Sequence, residues 1–315
     1  MQLQLIKDTA MKKIFISIMA VAALAACNKT DIVNLNPGEA IEFSNAFVNN
    51  ATKATDPTYG AVALTAFDVY GTITGTAGTI NIFDGADVTG SVETNVWACD
   101  VKQYWIADAT YKFAAVVNAN GVEQDADTKM PIALTYATAN QKDLLYAEAT
   151  ATGKASGNDK VNFSFNHLLS KAQFTVKSNT AEGYHHNVTN IKVSNFETGI
   201  YTIDSDTWVG TTEKEIEFGA VENVTATDIN GKTNATQMLL VPNTEDFTVS
   251  FTVEIWNGET KLGTQDYNKT VSQDLAKGNA YDFNINLSVG ELIQFTVTSN
   301  PTWAPATGGS NVTLQ

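Results

Sequence analysis

At 315 residues, 43% of them hydrophobic, the chain can bury an ample core, and its length sets two domains as the starting expectation. A net charge of −15 from only 17% charged residues means that cations are scarce, and every basic residue is a lysine. This excludes the broad basic face on which a nucleic-acid binder tracks phosphates, and an acidic surface of this kind suits solubility outside a cell.

Met11-Lys12-Lys13 and the apolar run 14–26 have the basic start and short hydrophobic region of a secretory signal. The run falls short of the roughly 20 apolar residues of a membrane-spanning helix. It closes on Leu24-Ala25-Ala26-Cys27, which resembles a bacterial lipobox. That resemblance implies cleavage before Cys27 and acylation there, with palmitate among the acyl groups, for anchorage by several chains. Met11 is then the expected start, and 1–26 are an upstream extension and signal outside the mature fold. Asn28, in place of an aspartate, favours the outer membrane. Cys99, in NVWACDV, is left unpaired and reads as a small buried hydrophobe.

Residues 27–53 read as a polar tether followed by a short leading strand in which Ile41, Phe43 and Phe47 share one parity. Lys53 sits between Thr52 and Ala54 in a stretch without periodicity, where an ordinary solvated lysine and a protease site are both open. Short strands cut by Gly71, Gly75 and Gly78 follow. The aromatic stretch 101–117, with Tyr104, Trp105, Tyr111 and Phe113, reads as a core hairpin turning near Asp108-Ala109, and Asn120-Gly121 marks a further turn. After a loop at 153–159, Val161, Phe163 and Phe165 alternate with polar residues. A break at 167–170 follows, then Ala172, Phe174 and Val176 do the same.

In the second half, Ile191-Val193, Ile216-Phe218 and Met238-Leu240 mark short strands. Phe247, Val249, Phe251, Val253 and Ile255 alternate up to Asn257-Gly258, a strong hairpin signal. Tyr281, Phe283, Ile285 and Leu287 alternate as cleanly. Near the end, Ile293, Phe295 and Val297 alternate with Gln294, Thr296 and Thr298, and Ile293-Gln294-Phe295 repeats the pattern of Ile41-Glu42-Phe43. No stretch of the mature chain keeps a helical period. The expected fold is all-β, with two β-sandwich-like domains of Greek-key, transthyretin-like type in tandem, 54–166 and 167–315, joined near His167.

No nucleophile elbow and no phosphate-cradling glycine loop is present. His167 is expected to pack at the junction, and His185-His186 to lie in a loop. Asp125/Asp127 and Asp204/Asp206 lack the calcium-loop pattern. Neither catalytic residues, nor metal ligands, nor a cofactor are assigned.

Four stretches carry a family resemblance: Asp-Leu-Leu-Tyr-Ala at 143–147, Val-x-Phe-x-Phe-x-His at 161–167, Leu-Ser-Lys-x-x-Phe at 169–174, and Tyr-Trp, turn, Tyr-x-Phe-x-Ala within 104–115. With the terminal Ile-x-Phe-x-Val run and Trp303, they resemble the fimbrillin-like lipoprotein pilins, the subunits of type V pili, over nearly all of the mature chain. The resemblance implies an outer-membrane lipoprotein anchored through Cys27 and cut at Lys53. The family often has arginine in a Thr-Arg-Ala context, so lysine here would defeat an arginine-specific protease. It further implies loss of the leading strand with Ile41, Phe43 and Phe47, then polymerisation through a donated strand in 291–315 bearing Ile293, Phe295 and Val297. The implied partners are other pilin subunits, self or related, in a fimbrium at the cell surface that supports adhesion to a host or bacterial glycan or protein. Three alternatives stay open: a tail that closes its own domain, a monomeric lipoprotein that binds glycan through exposed aromatics around Trp97, Tyr104 and Trp105, and a carbohydrate-active enzyme with two carboxylates across a cleft.

Overall fold

The computed structural model describes residues 38–48, 64–91, 94–234, 236–288, 294–300 and 312–314. Alternating apolar residues gain most when one face of a pleated sheet is buried, and the chain takes that solution throughout. Among the described residues there is no α-helix; Thr138–Asn140 forms a 3-10 turn.

The first sheet has seven strands in the order Phe43–Val48, Val161–His167, Leu145–Thr152, Thr110–Val117, Ala66–Gly75, Gly78–Ser91 and Val96–Cys99. The outermost pair, Phe43–Val48 on Val161–His167, is parallel, and the other pairs are antiparallel. The sheet curls until its first and last strands approach each other. It encloses a core rich in aromatic rings, among them Phe43, Phe67, Phe83, Phe113 and Phe163.

The second half is a sandwich. One sheet runs Lys232–Thr233, Ser170–Asn179, Ala280–Ser288, Gln294–Asn300, Val312–Leu314, with Met238–Leu240 also on Ser170–Asn179. The facing sheet runs Glu213–Glu217, Tyr184–Phe196, Phe247–Asn257, Thr260–Val271, with Val221–Val224 beside Tyr184–Phe196. Phe174, Phe251, Phe283 and Ile285 fill the space between them. The Asn257-Gly258 hairpin forms as the sequence suggests, with Gly258 at φ 56°.

A fourth sheet ties the halves together. Gly121–Gln124 and Pro131–Ala137 precede His167, Thr198–Thr202 and Thr207–Gly210 follow it, and Pro131–Ala137 pairs directly with Thr198–Thr202. A third core cluster, including Tyr136, Tyr146, Leu168, Leu169 and Tyr201, packs there. At the crossing, His167 Nδ1 lies 2.6 Å from the largely buried Asp143 carboxylate. Burial pushes the Asp143 carboxyl above its usual range, while its bond to His167 acts against that shift.

Three local expectations change. The aromatic hairpin does not form, because both edges of Thr110–Val117 are taken by Ala66–Gly75 and Leu145–Thr152. The turn does fall at Asp108, at φ 62°, but Tyr104 bridges to Ala40 instead and is 42% exposed. His185 and His186 lie in a strand, since Tyr184–Phe196 is paired through them to Phe247–Asn257. Successive side chains then point to opposite faces: His185 stacks on Trp256 at 6.0 Å, and the buried His186 meets Ser178 Oγ at 2.9 Å. Finally, Asn118 supplies the left-handed turn residue, at φ 61°, and Gly121 already begins a strand.

Candidate functional site

The seam between the two ends of the first sheet is filled by residues 38–48. Gly38 opens the segment because nothing larger fits: an added Cβ would lie 2.6 Å from the Trp105 carbonyl oxygen. This close approach lets Trp105 N donate to Glu39 O at 2.9 Å and Ile41 N donate to Gln103 O at 2.8 Å. The segment then changes partner. Val161 N donates to Glu42 O at 2.8 Å, and Phe43–Val48 continues parallel to Val161–His167. One short piece of chain thus satisfies backbone groups on both sides of an otherwise open seam.

Its inward face is apolar. Ile41 and Phe43 are buried, and the Phe43 ring lies 5.8–6.4 Å from those of Phe67, Phe83, Phe113 and Phe163, stacking on the last at 5.9 Å. Aromatic pairs at such separations add to the burial of each ring. Ser44 Oγ donates to Asn162 at 2.8 Å, and Glu42 pairs with Lys160 at 2.9 Å in the open, where an ion pair is worth little. Glu39 is held more fully. Its carboxylate accepts the backbone N–H groups of Gly157 at 2.8 Å and Asn158 at 2.7 Å, and the Asn158 side-chain amide at 3.0 Å. The Asn158 and Gly157 backbone bonds hold the Glu39 carboxyl below its ordinary value. Gly157 sits at φ 69°, a conformation that favours glycine.

The strand is not regular to its end. Phe43 and Ser44 pair with Val161 and Asn162, but Phe47 and Val48 pair with Ser164 and Phe165, and Ala46 between them is buried. A bulge therefore interrupts the alternation expected over Ile41, Phe43 and Phe47. The Phe47 side chain, Lys53 and Cys27 lie outside the described residues.

The tail strand Gln294–Asn300 pairs antiparallel with Ala280–Ser288, from Asn286 opposite Gln294 to Ala280 opposite Asn300. Phe295 and Val297 are buried in the sandwich, and Phe295 stacks on Phe283 at 6.1 Å and Phe251 at 6.4 Å. Val312–Leu314 covers its outer edge. Ile293 and Trp303 lie outside the described residues.

Other candidates have less to offer. Trp97 and Trp105 are buried, so of the three aromatics considered for a glycan platform Tyr104 alone faces solvent. Cys99 is partly buried and burial pushes its thiol upward, away from thiolate chemistry. Asp68 and Asp87 face each other on adjacent strands and share a hydrogen bond. A pair in direct contact leaves no room for the bond that two glycosidase carboxylates must flank. No cluster of three or more metal-ligating side chains occurs among the described residues. What the sequence reading missed is how the leading segment is held: Gly38 fits under the Trp105 carbonyl, and Gly157, Asn158, Lys160 and Asn162 grip Glu39, Glu42 and Ser44. No local pattern marks them, since their partners are remote in the chain.

A family model described as fimbrillin-like matches residues 52–301. Among solved structures, the fold is similar to that of a fimbrial protein from Bacteroides vulgatus, with TM-score 0.56 and 16% identity over 83% of this chain and 98% of that one. It is also similar to a candidate cell adhesion protein from Bacteroides uniformis, with TM-score 0.52 and 19% identity over 82% of this chain and 97% of that one. No curated protein matches by sequence.

Proposed function

We propose that this chain, which belongs to the fimbrillin-like family, is a pilus subunit that polymerises by exchanging the strand in its seam. The observation that carries this reading is the placement of Phe43. It is the only ring that the leading segment contributes to the described aromatic core, and it is held there by an edge strand rather than a central one. A cut at Lys53, shortly beyond Val48, would leave that segment held by non-covalent contacts alone. Its departure would uncover an unpaired edge on Val161–His167 and a pocket walled by Phe67, Phe83, Phe113 and Phe163. An open edge with alternating pockets is what strand addition uses: backbone bonds supply affinity and side chains set specificity.

In this proposal the tail of a neighbouring subunit, self or related, fills the seam, with Ile293, Phe295 and Val297 as its apolar face. The chain reaches the outer membrane as a lipoprotein through Cys27, and the assembled fimbrium supports adhesion at the cell surface. The chain's task is mechanical linkage rather than catalysis.

Limited trypsin digestion of the folded, lipid-free protein tests this, with mass spectrometry of the fragments and sizing before and after. A single early cut after Lys53 followed by a ladder of oligomers is expected. Resistance at Lys53, or a clean cut that leaves monomer alone, overturns it.

A further inference from the structure

The apolar positions of a donated strand do not by themselves define where it stops. Side chains alternate with period two, so a strand bearing Ile293, Phe295 and Val297 could slide by two residues and still present an apolar face to the pocket. Something outside the apolar face must choose between such registers.

We propose that the Gly157-Asn158 turn is a carboxylate clamp that sets the register of the strand in the seam, and that its occupant in the polymer is Glu291 from the tail of a second copy. This rests on the strand-exchange reading above. The leading segment runs Gly38-Glu39-Ala40-Ile41-Glu42-Phe43-Ser44, and the tail runs Gly290-Glu291-Leu292-Ile293-Gln294-Phe295-Thr296. Glycine, glutamate, isoleucine and phenylalanine recur at the same offsets and in the same chain direction, so the tail would enter parallel to Val161–His167 as the leading strand does.

Each matched residue has a visible partner in the seam. Gly38 passes beneath the Trp105 carbonyl, where a Cβ would collide. Glu39 takes the two backbone N–H groups and the side-chain amide of the clamp. Ile41 and Phe43 enter the core. Ser44 bonds Asn162, and threonine at 296 keeps that hydroxyl. Glutamine at 294 replaces Glu42, whose ion pair with Lys160 is exposed. The likeness ends after Ser44, where the bulge in the leading strand begins.

An isoleucine and a phenylalanine two apart are common in any β protein. A preceding Gly-Glu is not something a strand requires, because both residues are depleted from strands. The seam supplies a reason for each: a carbonyl that admits only glycine, and two N–H groups that call for an anion. A tail displaced by two residues would take its carboxylate off the clamp and bring Val289 or Ile293 to it.

The test uses the full chain cut at Lys53 and a fluorescent peptide of residues 290–300, with a peptide of residues 38–48 as reference. The tail peptide is expected to bind and to displace the leading fragment. Replacing its glutamate, Glu291→Ala, should weaken binding by about tenfold or more, as the loss of charge-assisted hydrogen bonds does. Asn158→Asp in the protein should weaken the native peptide similarly and restore a Glu291→Gln peptide, whose amide can donate to the new carboxylate. Equal binding of the native and Glu291→Ala peptides overturns the clamp while leaving strand exchange intact, and needs no protein variant. Binding by the leading peptide but not the tail peptide overturns the second copy as occupant. Binding by neither overturns the exchange reading itself.

Discussion

The leading strand and the tail strand share an Ile-x-Phe pattern, and each buries its phenylalanine to 1% exposure, yet they are held differently. The leading strand is outermost, parallel and broken by a bulge. The tail strand makes seven unbroken antiparallel pairs with Ala280–Ser288 and has Val312–Leu314 on its other side. Parallel pairing is slightly weaker per residue, and beyond its one ladder the leading segment breaks only short backbone contacts to Gln103 and Trp105 as it leaves, not a second full ladder. Equal burial therefore does not make two strands equally removable. In the proposed exchange, backbone pairing separates a leading strand that a single cut would release from a tail strand that would first have to be drawn out of its own sandwich.

The sharpest way to break this comparison is to truncate each ring. Phe43→Ala and Phe295→Ala should each cost about 3–5 kcal/mol, the usual loss for a buried phenylalanine. Hydrogen exchange should place the first loss in 38–48 and the strands around it, and the second in the sandwich. Equal loosening of Gln294–Asn300 in the Phe43→Ala variant would mean that the two halves unfold as one unit. Gly38→Ala comes next, because the new Cβ must displace Trp105 or the segment. About 1–3 kcal/mol, typical of overpacking, should appear in chemical denaturation as loss of the first sheet. Ser44→Ala removes one hydrogen bond to Asn162 and should cost about 0.5–1.5 kcal/mol in the same measurement.

Acid should distinguish the two regions with the smallest effects. His186, in the sandwich, is held below its ordinary 6.5 by burial and then by the charge of His185. The unfolded chain takes up that proton first, so the stability His186 contributes is present at neutral pH and is lost as pH falls below the ordinary histidine value. Glu39 is held below its ordinary 4.5 by the clamp, so its contribution survives to lower pH and is lost as pH falls through the lowered value. Exchange measured between about pH 7 and pH 4 should show the His186→Gln sandwich losing less than the native one early in the descent. The Glu39→Gln difference in 38–48 should shrink only near the acid end.

Much of the fold was legible because alternation is a local property. Val161, Phe163 and Phe165, the Asn257-Gly258 hairpin and the run Tyr281 to Leu287 lie where the pattern puts them, with inward faces buried. Ile41 and Phe43 were legible as an apolar pair for the same reason. The polar grip on them was not, because Glu39 meets Gly157 and Asn158 only after the chain has gone out and returned through several strands. Tyr104 was misplaced among the core rings because its aromatic character is visible in sequence, whereas the competition for the edges of Thr110–Val117 is not.

The sequence by itself determined that this protein is built of strands, which side chains face inward in most of them, and which family it resembles. Tertiary structure alone decided which edges meet: the parallel seat of the leading strand, the sheet shared across His167, and the turn that holds Glu39. The physical reason is range. Side-chain periodicity is set by neighbours two residues apart, whereas strand pairing is a choice among backbone edges that become available only once the whole chain has folded.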